Sequence, residues 1–399
     1  MGKKFQVIVI GGGLFGICTA YFLAKAGQDV LLVEKGFVGA ASSGANFGGL
    51  RLQGRALEQY PLSLLAQEYW ENFEKEFDAP CEYERKGMIY FAHNSKSRDK
   101  LFQYASNSRQ CGLSIDIWEG DILRKNLPWI SDDALVASYS SACAVANPRL
   151  ATPAIARAFR KLGGTVIENC EIVQIKKTSA GFELASADGQ TFSGEILVNA
   201  AGGWADRIAE SFGENVPLFR AGPPQFVTEP LPYVLQPSVY SIDGDLIIRQ
   251  ISRGNFIFAG YPRTLSNEDG KHTFVPPAKT RNGMQAISRY IPALNNAEII
   301  RVWSGVEAYL PDMLPIVGAS ETTPGLFHAF GGSGGGFQIG PAVGLCLANM
   351  ILGRKNQISI EPYAISRFRS AIKASDKLQS EFDGVRPAGV RHKEGSRSV

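Results

Sequence analysis

At 399 residues, 45% of them hydrophobic and 20% charged, the chain is long enough for two or three domains and has the composition of an ordinary globular protein, not a disordered or fibrous one. A formal net charge of +3 is too small to mark nucleic acid as the main partner. The six cysteines and four histidines are scattered, with no C-x-x-C pair, which argues against an iron–sulfur loop, a structural zinc site or a disulfide framework.

Lys3 and Lys4 precede an apolar run too short for a signal-peptide core, and no run approaches the eighteen or so apolar residues of a spanning helix. The sequence therefore predicts a cytoplasmic protein without direct membrane insertion. Val7–Ile10 is short, apolar and rich in β-branched residues, and reads as a buried parallel strand. Gly11, Gly13 and Gly16 follow at G-x-G-x-x-G spacing. Residues 17–26 have helical composition and stop at Gly27, a C-cap, before a second strand, Val30–Val33. This is a complete βαβ unit. Gly11 permits the turn, Gly13 lets backbone approach a pyrophosphate, and Gly16 lets the helix pack on the sheet. The helix start offers N–H groups and partial positive charge. Glu34, at the end of the second strand, is placed for ribose hydroxyls and would repel a 2′-phosphate. A bound adenine dinucleotide other than NADP is predicted.

Residues 36–51 are dense in Gly, Ala and Ser. They read as a flexible loop or as a second wall of the dinucleotide pocket, with Ser42, Ser43 and Asn46 as hydrogen-bond donors and Arg51 carried next to a redox ring. Residues 57–77 have the period of one amphipathic helix. A strand over 87–92, a helix over 99–111, a turn at Pro128–Ile130, a helix over 149–162 and a strand over 165–175 follow. Next comes a hairpin around Asp188–Gly189. The stretch 195–206, EILVNAAGGWAD, is a strand emptying into small residues, again a close approach of backbone to a ligand. From Val216 to Arg301 prolines cluster and short strands follow, as in an inserted antiparallel sheet roofing a substrate. A strand over 326–330 then empties into the glycine-rich turn 331–336 and a helix over 339–352. This second helix start has no pyrophosphate left to serve, so it faces either the redox ring or only a tight packing turn. The last residues, 386–399, are basic and polar and read as a mobile tail or an arm against a partner.

Three stretches carry a resemblance: GGGLFG with Glu34, VNAAGGWAD, and WSGVEAYLPDMLPIVG followed by HAFGGSGGGFQIGP. In that order they resemble the FAD-dependent D-amino-acid oxidase superfamily. This superfamily includes glycine oxidase, monomeric sarcosine oxidase and the FAD subunits of D-hydroxyproline, proline and opine dehydrogenases. The resemblance covers about residues 5–353. It implies an α/β fold with a discontinuous Rossmann-like FAD-binding domain (1–80, 143–215 and 303–372). An inserted α+β substrate domain (81–142 and 216–302) would be built on a mostly antiparallel sheet. It also implies non-covalent FAD and no metal, since the family's flavin-linking cysteine falls at Gly305. The implied FAD contacts in the first two stretches are Gly11, Gly13, Leu14, Phe15, Gly16, Glu34 and Lys35, then Ser42, Ser43, Asn46, Gly48, Gly49 and Leu50. Further along they are Val173, then Ala200, Ala201, Gly202 and Trp204, then Gly305, and finally Gly332, Ser333, Gly334, Gly335, Gly336, Phe337 and Gln338.

The implied chemistry is hydride transfer from an amine-bearing carbon to the flavin, with hydrolysis of the imine. That chemistry needs positioning more than a catalytic base. Arg51 falls where monomeric sarcosine oxidase holds the substrate carboxylate, a role suited to a planar guanidinium. Arg249 and Tyr309 are further candidates. Where relatives have a carboxylate-gripping arginine this chain has Glu307, which points to a cationic or ring-amine substrate of the opine or proline kind, or else to a glutamate paired with a nearby arginine. Where sarcosine oxidase has a lysine, it has Gln338. The leading expectation is the substrate-oxidising beta subunit of a multi-subunit dehydrogenase, its partners carrying iron–sulfur clusters and a second flavin and tying it to a membrane if anything does. A stand-alone oxidase making peroxide is the alternative, and a tRNA-modifying flavoprotein stands below it.

Overall fold

A strand that is apolar on both faces has to be covered on both faces, and this dictates the larger part of the molecule. In the computed structural model, which describes residues 3–260, 262–267, 273–370, 372–375 and 382, the first strand spans Lys3–Ile10, longer than its apolar core. It pairs in parallel with Val30–Val33 on one side and Thr191–Asn199 on the other. Leu326–Phe330 and Thr165–Ile167 extend the parallel order outward, and Ile316–Ala319 closes one edge antiparallel. The register sets Ile10, Asn199 and His328 side by side, so three chain segments leave the sheet at one edge. The basic stretch 386–399 lies outside the described residues.

The covering helices pack closely because glycines face them. The helix Leu14–Lys25 lies against the helix Gly336–Ile351. A Cβ on Gly340 would sit 2.4 Å from Leu14 Cδ2, and one on Gly344 would sit 2.4 Å from Cys18 Cβ. The stretch 57–77 is three pieces where the period predicts one helix: a 3-10 turn (Leu57–Gln59), a helix (Tyr60–Glu71) and a short helix (Phe73–Phe77). Asn72 breaks it, its side-chain amide donating to Glu68 O at 2.8 Å. This competition with the backbone is what disfavours asparagine within helices. The break lets Trp70 and Phe73 stack, with centroids 5.5 Å apart. The stretch 165–175 is likewise two strands, Thr165–Ile167 and part of Ile172–Thr178, paired with different neighbours.

A second eight-stranded sheet draws on residues 88–140 and 225–303 and is antiparallel except where Ser238–Ser241 pairs with Met88–Ala92. Phe226, Phe256 and Phe258 fill its core beneath the helix Pro277–Tyr290. A small sheet of Thr264–Leu265, Phe219–Gly222 and Glu307–Tyr309 adds a third wall, so Glu307 enters on a strand. No helix among the described residues is long and apolar enough to cross a membrane.

The parallel sheet is tied by a buried polar chain. His328, fully buried, lies 2.8 Å through Nε2 from Glu214 Oε2, and its Nδ1 lies 3.3 Å from the Asn199 amide. Asn199 donates there and to Ala205 O, so Nε2 carries the proton and donates to Glu214. Glu214 also accepts from Ser320 Oγ and Glu321 N. Burial alone would raise its pKa, but these three donors outweigh burial and hold it below the ordinary glutamate value. A carboxylate stabilised in the fold contributes stability above its unfolded pKa and loses it as pH falls through the lowered folded value. Glu214→Gln should therefore lower stability at neutral pH by about 1.5–3 kcal/mol. In thermal melts carried from pH 7 to well below the ordinary glutamate value, the gap from the parent protein should hold above that value and narrow below it. A constant gap would mean the charge is irrelevant.

Candidate active site

At the edge where the strands end, a cavity of about 730 Å³ runs between the sheets, within the usual range for small-molecule sites. Three features make it a dinucleotide cleft. Gly11 has φ +108°, and a Cβ there would lie 2.3 Å from Ala200 O. A Cβ on Gly13 would meet only Ser43 Oγ, at 3.3 Å, so this backbone is open to a ligand. The helix that follows begins with Leu14 N–H donating to Ser43 Oγ at 2.8 Å, which ties the loop 36–51 to the helix start. Glu34 accepts from Gly12 N at 2.7 Å and Gly36 N at 2.8 Å. Each carboxylate oxygen keeps a further lone pair for a ribose hydroxyl. Lys35, Trp204 and Val173 also line the cavity, with Lys35 Nζ over the Trp204 ring. The donor set thus fits an adenine dinucleotide extended inward from these residues.

At the other end the turn 331–335 precedes the helix Gly336–Ile351. Gly331 and Gly334 take positive φ, and so does Ser333 at +46°, a conformation that costs energy for a residue with a side chain. Ser333 is held there by its N–H to Ala308 O and by Leu310 N–H donating to its hydroxyl at 3.1 Å. The helix start is therefore fixed to the strand that carries Glu307.

The charges at this end are mostly positive. Arg51 lines the cavity, and its Nη1 donates to Gln53 O, Gly54 O and Tyr90 Oη, the last at 2.7 Å. Arg55 lies beside it, 6% exposed and on the cavity wall. Its Nε donates to Arg51 O at 3.0 Å, and its terminal nitrogens meet no acceptor among the described residues. Burial, and then the charge of Arg51, push its pKa down to about 9. Arg263 closes the opposite side, its guanidinium over the Tyr309 and Phe382 rings. Glu307 is the carboxylate among them. Burial pushes its pKa up, opposed by the charge of Arg263 and by a hydrogen bond from Tyr309 Oη.

Most residues singled out in the sequence reach this cavity, but several support it from outside. Gly16 packs on the turn instead of the ligand space, since its Cβ would lie 2.0 Å from Gly11 O. Gly48 abuts Ala146 O, Leu50 is buried, and Gly305 backs onto Ala45. Tyr309 is fully buried behind Glu307. Arg249 is also off the wall, its guanidinium 5.4 Å from the Phe47 ring centroid. Gln338 borders the cavity; its side-chain amide N–H donates to Ser63 O at 2.8 Å, its backbone carbonyl accepts from Trp70 Nε1, and its side-chain Oε1 meets no donor among the described residues. Through these two bonds it joins the helices Tyr60–Glu71 and Gly336–Ile351. Arg55 and Arg263 were not singled out in the sequence. Arg55 lies four residues after Arg51, a signal that was available. The position of Arg263 depends on the small sheet and could not be read. The one cysteine on the cavity wall, Cys170, lies at the Glu34 end beside Val173, and no described histidine lines it.

Residues 6–350 match the family described as FAD dependent oxidoreductase (DAO). Glycine oxidase of Geobacillus kaustophilus is 27% identical over 92% of this chain and 98% of its own. Sarcosine oxidase subunit beta of Rhizobium meliloti is 25% identical over 94% and 91%. The crystal structure of L-proline dehydrogenase from P. horikoshii superposes with a TM-score of 0.84 at 23% identity, covering 96% of this chain and all of that one, and shares the fold. FAD fits the cleft described above. Its AMP half would be held by the first turn and Glu34, and its ring by the region between Gly49 and Gly332. Removing the Ser43 hydroxyl leaves the Leu14 N–H without its acceptor at the phosphate end. Ser43→Ala should weaken FAD binding about tenfold, the equivalent of about 1.4 kcal/mol. Fluorescence titration of the apoprotein measures this, and unchanged affinity would remove Ser43 from the cradle.

Proposed function

The chain belongs to the FAD dependent oxidoreductases of the DAO family, and from that premise we propose that it oxidises the C–N bond of a small amino acid or secondary amine. The observation that carries this reading is Arg55. A buried guanidinium whose terminal nitrogens find no acceptor among the described residues is costly unless a ligand completes it. Its planar fork suits a carboxylate. Arg51, already bound to carbonyls and Tyr90, orients the neighbouring backbone, and its charge adds to the anionic preference.

A substrate carboxylate on Arg55 directs the amine across the cavity toward Glu307. There the carboxylate, with one oxygen bonded by Tyr309, can hold a cationic amine or take its proton. FAD, when bound, supplies the hydride acceptor. The protein fixes the carbon at its face and excludes water with the Phe47, Tyr240 and Ile247 wall. Cys170 sits at the far end from the ring, which supports non-covalent FAD. The likeness to a sarcosine oxidase beta subunit supports a role as the substrate-oxidising subunit of a larger dehydrogenase. The likeness to glycine oxidase supports a stand-alone oxidase instead. Peroxide formation by the purified chain would decide for the second, and turnover with dyes but not oxygen for the first.

The test is anaerobic bleaching of the flavin by D-amino acids, N-methyl amino acids, prolines and opines. No bleaching by any of them would overturn the reading. With an active substrate, Arg55→Ala should lower kcat/KM roughly 30- to 150-fold, the loss of one charged pair, while flavin content stays normal. An equal loss with an uncharged amine would exclude a carboxylate on Arg55.

Glu307 gives a separate readout. Its raised pKa means the carboxylate forms only above the ordinary glutamate range, so kcat/KM should rise with pH through that region. Glu307→Gln should abolish this limb and lower the plateau about 100-fold. An intact limb in the variant would assign it to another group.

A further inference from the structure

We propose that the open edge strand Ile299–Trp303, together with Arg149, is the docking surface for an acidic redox partner chain, one of whose strands continues the sheet. The proposal rests on the oxidoreductase reading above and gives its electrons an exit. Among the described residues this strand pairs only with Gln225–Pro230, so its outer row of N–H and C=O groups is open. Open edges invite another strand unless they are blunted. This five-residue strand carries no proline; the register shift beside Ile300 and the charge of Arg301 restrict which strand can add, and Ile300 and Val302 are 60% and 39% exposed.

The charges select the partner. The guanidinium carbons of Arg149 and Arg301 lie 5.4 and 5.7 Å from the Trp303 ring centroid. Neither arginine has an ion pair with a described residue, and each repels the other. Burial, and then the charge of Arg301, hold the pKa of Arg149 below the ordinary arginine value. Two uncompensated cations flanking a half-buried indole are the anchor chemistry of protein interfaces. The carboxylates nearby, Glu229 and Glu298, sit at the start of the strand, roughly 10 Å from Arg301 at about 3.4 Å per residue. The strand thus runs from acidic to basic. A second copy pairing antiparallel about Arg301 would set Arg301 against Arg301, and like charges directly opposite are destabilising. RNA would meet Glu298 and use none of the strand groups.

The place fits a redox partner. Trp303 Nε1–H donates to Ala45 O at 2.9 Å, and Ala45 ends the short helix Ser42–Ala45. Ser42 and Ser43 of that helix line the dinucleotide cavity. A chain docked on Trp303 therefore rests against the outer side of the cleft wall.

The test uses the FAD-loaded full chain with oxidised flavodoxin as the acidic probe. Dithionite, not a substrate, reduces the flavin, so the outcome is independent of which amine the protein oxidises. Binding is measured by interferometry at 50 and 300 mM salt, and electron transfer by stopped flow. The parent protein should bind with an affinity that falls steeply with salt. The doubly substituted protein, Arg149→Glu with Arg301→Glu, should bind at least about tenfold more weakly and transfer electrons correspondingly more slowly, with unchanged rates to a small uncharged dye. No binding to the parent, or equal binding to both proteins, would overturn the proposal. So would a dimer in sedimentation that Arg301→Glu dissolves, or a tRNA gel shift that the two substitutions abolish.

Discussion

Everything at the site depends on one register. Ile10, Asn199 and His328 stand side by side in three parallel strands, so three chain segments must leave the sheet at one edge. Each leaves through small residues: Gly11, Ala200 with Ala201, and Gly331. Where Gly11 meets Ala200 there is no room for a Cβ. The cleft is therefore a consequence of strand order, at the point where open parallel sheets place ligands. The chain Asn199–His328–Glu214 then ties two of the three strands together through buried polar side chains. A one-residue slip would break both the polar chain and the alignment of the turns, which makes the register expensive to leave.

The same frame separates two electrostatic environments. At the Glu34 end, acceptors and the first helix start are placed where a ribose and phosphates would fit. At the other end Arg51, Arg55, Arg263 and Glu307 share the cavity wall, and of the three arginines it is Arg263 whose charge acts on Glu307. The arginines repel one another, and Arg55 shows the cost in its lowered pKa. Folding does not relieve that cost among the described residues, since nothing acidic touches Arg55. Uncompensated strain of this kind is expected where a ligand supplies the missing charge.

The anchor end was legible because its determinants are local. Gly11, Gly13, Gly16 and Glu34 lie within one βαβ unit, and the strand Val30–Val33 falls where its composition puts it. The second glycine turn was legible for the same reason. The helix break at Asn72 was not, because the apolar period continues through it and only the side-chain bond to Glu68 decides. At the substrate end the distances in sequence are long. Arg51 was read from its loop, while Arg55 needed the knowledge that its Nε would be spent on the Arg51 carbonyl and its fork left open. Arg263 and Glu307 meet only because Thr264–Leu265 and Glu307–Tyr309 both pair with Phe219–Gly222. Gln338 misled for the opposite reason: its position in the turn is local, but the direction of its amide is set by Ser63, 275 residues away.

These two ends also differ in how they tolerate change. At the anchor end a Cβ on Gly16 would lie 2.0 Å from the Gly11 carbonyl oxygen, a clash with backbone that no side-chain adjustment relieves. Glu307 stands on the small third sheet, and Arg51 and Arg55 on the loop after the strand Gly49–Leu50, so they act through side-chain charge and not through backbone packing. Arg55 approaches the turn through a flexible fork, 2.6 Å from where a Gly335 Cβ would sit. A frame that would hold the cofactor by backbone and the substrate by side chains could keep the first while the second is exchanged. The register then sets the cleft, and on the function proposed above a few charges mounted on it would set substrate choice.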